Sequence, residues 1–142
     1  MAQAPRAYVL DSFALLAFLQ DEPGADRVAE LLEAGRRGGL KLYLSVLNLA
    51  EVVYRTVRAY GLERAMAVLA RLEELPLEVV EVDRGLALEA ALVKGRHAVA
   101  FADCLAAALA RRVGGAVVTG DPDFGELEEV APVEWLQGQQ PG

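Results

Sequence analysis

Four short apolar runs constrain this chain most: AYVL at 7–10, LKLYLS at 40–45, LEVVEV at 77–82 and AVVTG at 116–120, each separated from the next by helical pattern. AYVL is the kind of run that fills a buried strand, and Asp11 and Ser12 behind it are helix-starting residues, so a first helix is expected over about 12–20. DEPG at 21–24 breaks the chain, and ADRVAELLEAGRR then carries apolar residues at helical spacing up to Gly38 and Gly39. A helical hairpin is expected from Val46 to Pro76, interrupted at Gly61. RGLALEAALVK and AFADCLAAALARRV supply two more helices, the second bounded by Gly114 and Gly115, and VEWL at 133–136 is a short fifth strand. Strands alternating with helices predict βα units with right-handed crossovers. The expected fold is α/β, a three-layer α/β/α sandwich around a mostly parallel sheet of four or five strands.

With 142 residues, 54 % hydrophobic and 25 % charged, the chain has enough apolar side chains for one core. One domain is expected over 1–137, with the polar GQQPG at 138–142 as a frayed tail. No apolar run approaches the roughly 20 residues of a membrane helix, and Met1–Leu10 lacks the apolar core of a secretory signal. Cys104 is the only cysteine, which excludes an intrachain disulfide and a cysteine-rich zinc site and points to a cytoplasmic protein. A net charge of −7 counts against a nucleic-acid partner, because phosphate binders usually carry a basic footprint. The objection weakens if some of the acids hold divalent cations, which invert the local field.

The acids themselves fall at telling positions. Parallel sheets bind ligands beyond the carboxyl ends of their strands, and Asp11 follows AYVL as Asp121 follows AVVTG. Each has a local alternative: Asp11 as a helix cap, Asp121-Pro122 as a turn. Glu51 sits among Val46, Leu47, Leu49, Val52 and Val53, where an ionised carboxylate is costly unless paired or metal-bound. Its alternative is a solvent-facing pair with Arg55, four residues on. Asp103 is the one charge in AFADCLAAALA and is either a ligand or a helix cap. Carboxylates lining one crevice suit Mg²⁺ or Mn²⁺, which can activate water and stabilise in-line displacement at a phosphodiester. Asp123 is a possible further ligand, and Asn48, Thr119 and Ser45 are candidate supporting residues, each with an ordinary structural alternative. Arg55, Arg58 and Arg96 are candidates for guiding a phosphate backbone. His97, near Lys94 and Arg96, is a candidate phosphate contact whose ordinary alternative, a solvated loop, fits it better, and Cys104 fits core packing.

In order and spacing, VLDSFALLAFL, SVLNLAEV, FADCLAAALA and VVTGDPDF resemble the motifs of PIN-domain ribonucleases, most closely the VapC-type toxin branch. The resemblance spans nearly the whole chain. It implies that Asp11, Glu51, Asp103 and Asp121 match the acidic catalytic and metal-binding quartet, with Asp123 as a variable fifth acid. It further implies Mg²⁺- or Mn²⁺-dependent endoribonuclease activity, an RNA substrate, a cognate antitoxin that blocks the site, and a homodimer. A catalytically silent PIN-like module that binds RNA or protein is the alternative. A phospho-accepting receiver domain is disfavoured because no lysine follows Lys94.

Overall fold

The computed structural model describes residues 4–136; the tail expected at 138–142 lies outside them. Five strands, β1 (Ala7–Leu10), β2 (Lys41–Ser45), β3 (Glu78–Val80), β4 (Ala116–Thr119) and β5 (Val133–Trp135), form one sheet in the order β3-β2-β1-β4-β5. Every pairing is parallel. The sheet is therefore wholly parallel, and it includes the fifth strand. LEVVEV contributes less than expected: only Glu78–Val80 pair, because β3 is an edge strand and its ends have no second neighbour.

Alternation along β1 divides the core between two faces. Val9 and Val117 point to one side, where α5 (Arg84–Lys94) and α6 (Phe101–Val113) cover them with Leu86, Leu105 and Leu109. Tyr8, Leu10 and Val118 point to the other, against α1 (Ser12–Leu19), α2 (Ala25–Arg36), α3 (Val46–Tyr60) and α4 (Leu62–Glu74). Burial on both faces explains why β1 and β4 read as continuous apolar runs. No helix among the described residues is long and apolar enough to cross a membrane.

Two glycines fix how these layers join. Gly61 takes φ +93°, which lets α3 stop and α4 start without an intervening loop. Gly115 lies where α6 hands over to β4, and a Cβ there would stand 2.3 Å from the Ala7 carbonyl oxygen. The backbones of β1 and of the α6–β4 junction meet because that side chain is absent.

The chain runs outward from β1 through β2 to β3, then crosses back to add β4 on the other side of β1. Crossover direction thus switches between β1 and β4, and a crevice opens beyond their carboxyl ends. Leu10 pairs with Val118, so Asp11 and Thr119 emerge side by side at that edge.

Candidate functional site

Asp11 is the N-cap of α1, its Oδ1 accepting the Ala14 N–H at 2.9 Å. The cap alternative is therefore real, but it accounts for one oxygen only. Oδ2 accepts a short hydrogen bond from the Thr119 hydroxyl, and Thr119 Oγ1 in turn accepts the Asp121 N–H at 3.0 Å. Thr119, fully buried, thereby links the two strand-end acids. Asp121 caps the 3-10 turn Pro122–Leu127 by accepting the Asp123 N–H at 2.9 Å, which folds Asp123 back beside it. Among the described residues, Asp103, Asp121 and Asp123 each offer a carboxylate oxygen within 4.8 Å of the others.

Asp103 is not a helix cap. Ala100 holds that position without a side-chain bond, and Asp103 sits in the first turn of α6, aimed at Asp121 and Asp123. Glu51 stands across the crevice on α3, its side chain 16 % exposed, with Oε2 2.9 Å from Arg55 Nη2. The Arg55 pair expected for Glu51 is present, but the carboxylate lines the crevice and is mostly buried rather than solvent-facing. Ser45 is the N-cap of α3: its Oγ accepts the Asn48 N–H and donates to Asn48 Oδ1, each at 3.1 Å. Asn48 Nδ2, one turn before Glu51, is buried without a partner, the kind of orphaned donor that occurs beside functional sites.

Burial and mutual repulsion dominate the electrostatics. Loss of solvent pushes the Asp11 carboxyl up to about 7, opposed by its Thr119 and Ala14 hydrogen bonds and reinforced by the charges of Asp103 and Asp121. Burial likewise raises Asp103 to about 7; Asp121, Glu51 and Asp123 add to the rise, and the Arg55 cation opposes it. A hard divalent cation suits this donor set, because all the ligating atoms are carboxylate oxygens and a cation relieves the repulsion that now favours protonation.

The cleft in front of these acids holds about 470 Å³. Its far wall is α1, through Ser12, Phe13, Leu16 and Gln20, together with Glu22; its near wall is α3, through Glu51, Arg55 and Arg58. The α1 wall was missed from sequence, although 12, 16 and 20 recur at helical spacing directly behind Asp11. Asp11 itself lies beneath the cleft floor, 2 % exposed. Arg96 lines a separate pocket between α5 and α6. His97 departs from the solvated loop expected for it. Its side chain is 9 % exposed, with Nε2 3.1 Å from Glu129 Oε1 but out of line for a hydrogen bond. Cys104 is buried core.

A family model described as PIN domain matches residues 8–130. No curated protein sequence matches the chain. Among solved structures, the chain is similar to one from VapBC2 of Rickettsia felis bound to a DNA fragment from their promoter. The TM-score is 0.71 at 17 % identity, covering 92 % of this chain and 99 % of that one. It is also similar to VapBC-5 of Mycobacterium tuberculosis, a member of the VapBC family of toxin-antitoxin systems, with 26 % identity, TM-score 0.60 and coverage of 93 % and 98 %. A third, VapC20 of Mycobacterium tuberculosis, described as a sarcin-ricin loop cleaving toxin, aligns at 21 % identity and TM-score 0.64 over 84 % of this chain and 92 % of that one.

Proposed function

Since the chain belongs to the PIN domain family, we propose that it is a Mg²⁺- or Mn²⁺-dependent endoribonuclease, the toxin of a toxin–antitoxin pair. The observation that carries this reading is the convergence of Asp103, Asp121 and Asp123 at the switch point of the sheet, with Asp11 bonded beneath them and Glu51 facing them. Asp11, Glu51, Asp103 and Asp121 are the proposed catalytic and metal-holding residues, with Asp123 as a further ligand. A divalent cation bound there supplies Lewis acidity to the phosphodiester and a more acidic water for attack. The protein's own residues do the rest. Thr119 fixes Asp11 and the Asp121 backbone in one arrangement before any cation enters. Ser45 and Asn48 hold the first turn of α3, and with it Glu51, against the end of the sheet. Arg55 and Arg58, the cations lining the cleft, are suited to the flanking phosphates.

An antitoxin partner is supported by the apolar outer face of α3 and α4, where Leu47, Tyr54, Val57, Tyr60, Leu62 and Met66 stand exposed. A groove along this face shares Arg58 with the cleft, so a helix seated in it would reach the acids. A homodimer and a cytoplasmic location accompany this reading.

The test is cleavage of RNA with Mg²⁺ or Mn²⁺, against chelator and against Asp103→Asn folded to the same extent. Expected is metal-dependent cleavage that the substitution lowers at least a hundredfold; unchanged cleavage removes Asp103 from the chemistry. The alternative is a silent PIN-like module that binds RNA or protein. That alternative requires RNA retention without cleavage in every divalent metal. A small reading frame beside the gene would support the antitoxin.

A further inference from the structure

Arg55 has two possible partners in one cleft. Its Nη2 lies 2.9 Å from Glu51 Oε2, and its guanidinium forms part of the wall facing Asp103 and Asp121. Glu51 lines the same cleft as Asp103 and Asp121, and its charge acts on Asp103. Glu51 is one helical turn away, and the Arg55 end of this i,i+4 pair is mostly in solvent, so the contact is easily exchanged. Arg55 is 58 % exposed by side chain and is free to turn toward the cleft. Arg58, one turn further on, is held differently, with its guanidinium 5.0 Å from the centre of the Tyr54 ring. Of the two cleft arginines, Arg55 alone is tied to an acid of the site.

We propose that Arg55 is an exchangeable counter-ion: it holds Glu51 while the site lacks a cation, and is released to a phosphate of the RNA when the cation takes that carboxylate. The inference rests on the nuclease reading for its substrate and on the Glu51 contact for its metal half. Two consequences follow. Arg55 competes with the cation for Glu51, which lowers metal affinity in the absence of RNA. Metal entry frees a bidentate phosphate donor one turn away, so metal and RNA strengthen each other's binding beyond what the cation alone contributes.

The experiment measures Mn²⁺ binding by titration calorimetry without RNA, and binding of a labelled RNA oligonucleotide in Ca²⁺ with its integrity checked on a gel. The variants are Arg55→Met, Arg55→Lys and, as a control for net charge, Arg36→Met on the exposed side of α2. Arg55→Met is expected to bind Mn²⁺ roughly fivefold more tightly, the size of a close charge interaction in water, while losing about tenfold in RNA affinity in Ca²⁺. Arg55→Lys is expected to fall between it and wild type, and Arg36→Met to match wild type in both assays. Mn²⁺ affinity in Arg55→Met equal to or below wild type, or an equal gain in Arg36→Met, overturns the counter-ion role. Unchanged RNA affinity in Arg55→Met overturns the phosphate half. A protein that cuts RNA while Arg55→Met leaves Mn²⁺ affinity unaltered sinks this inference alone. One that cuts no RNA, yet gains Mn²⁺ affinity in Arg55→Met, sinks the nuclease reading and supports the counter-ion.

Discussion

Asp11 and Asp103 illustrate how a binding site is held against the interest of the fold. Both carboxyls are raised to about 7, chiefly by burial, against an ordinary value near 4. Between those limits the folded protein binds more protons than the unfolded chain, so its stability falls as pH rises. Their contribution is fully present below about 4 and is lost as pH climbs through about 7. In chelator, the melting temperature is therefore expected to fall between pH 5 and pH 8. Asp103→Asn should flatten that slope and melt higher than wild type at pH 8; an unchanged slope would show that Asp103 does not titrate in this range. Thr119 has the opposite role. Thr119→Val leaves a buried Asp11 oxygen and the Asp121 N–H without their shared partner, which is expected to cost about 1–3 kcal/mol in a urea melt. The same variant should weaken Mn²⁺ binding at least tenfold by calorimetry. Asp11 was recognisable in the sequence as a strand-end acid, but its bond to Thr119 was not. That contact joins residues 108 positions apart and exists only in the register that sets Leu10 beside Val118.

Elements were legible where one environment covered their whole length. β1 and β4 are buried on both faces, and their apolar runs gave them away. LEVVEV overstated β3, because pairing at a sheet edge is decided by the neighbour, here β2, rather than by the strand's own pattern. The 3-10 turn Pro122–Leu127 is too short to show a period, and it carries Asp123 into the cluster. The α1 wall of the cleft depends on what α1 faces, which only the packing of α1 against α3 decides. The α6–β4 junction offers an element-scale test. Gly115→Ala forces backbone against backbone, with Ala7 O only 2.3 Å from the new carbon, and is expected to cost about 3 kcal/mol, the upper part of the overpacking range. Gly39→Ala, whose new carbon would meet only the Ala34 carbonyl oxygen at 3.5 Å, should shift the urea midpoint far less.

Across the whole molecule, an excess of negative charge stands beside a cleft read as an RNA site. The proposed cation would reconcile the two, because it would add positive charge where a phosphate would approach. It should also stabilise the fold: at a free Mn²⁺ concentration a hundred times its dissociation constant, the gain is about 2.7 kcal/mol. Melting temperature is thus expected to rise steadily with Mn²⁺ in wild type and to stay nearly flat in Asp103→Asn, as read by calorimetric scans. The order of the strands bears on synthesis as well. β1 is central, yet the partner that completes its second edge is β4, and the acids are spread from residue 11 to residue 123. A nascent chain leaving the ribosome carries Asp11 and Glu51 early but lacks Thr119, Asp121 and Asp123 until β4 and the turn after it are made. A product that stops before Thr119 therefore lacks the assembled acid cluster, however complete its first three strands are.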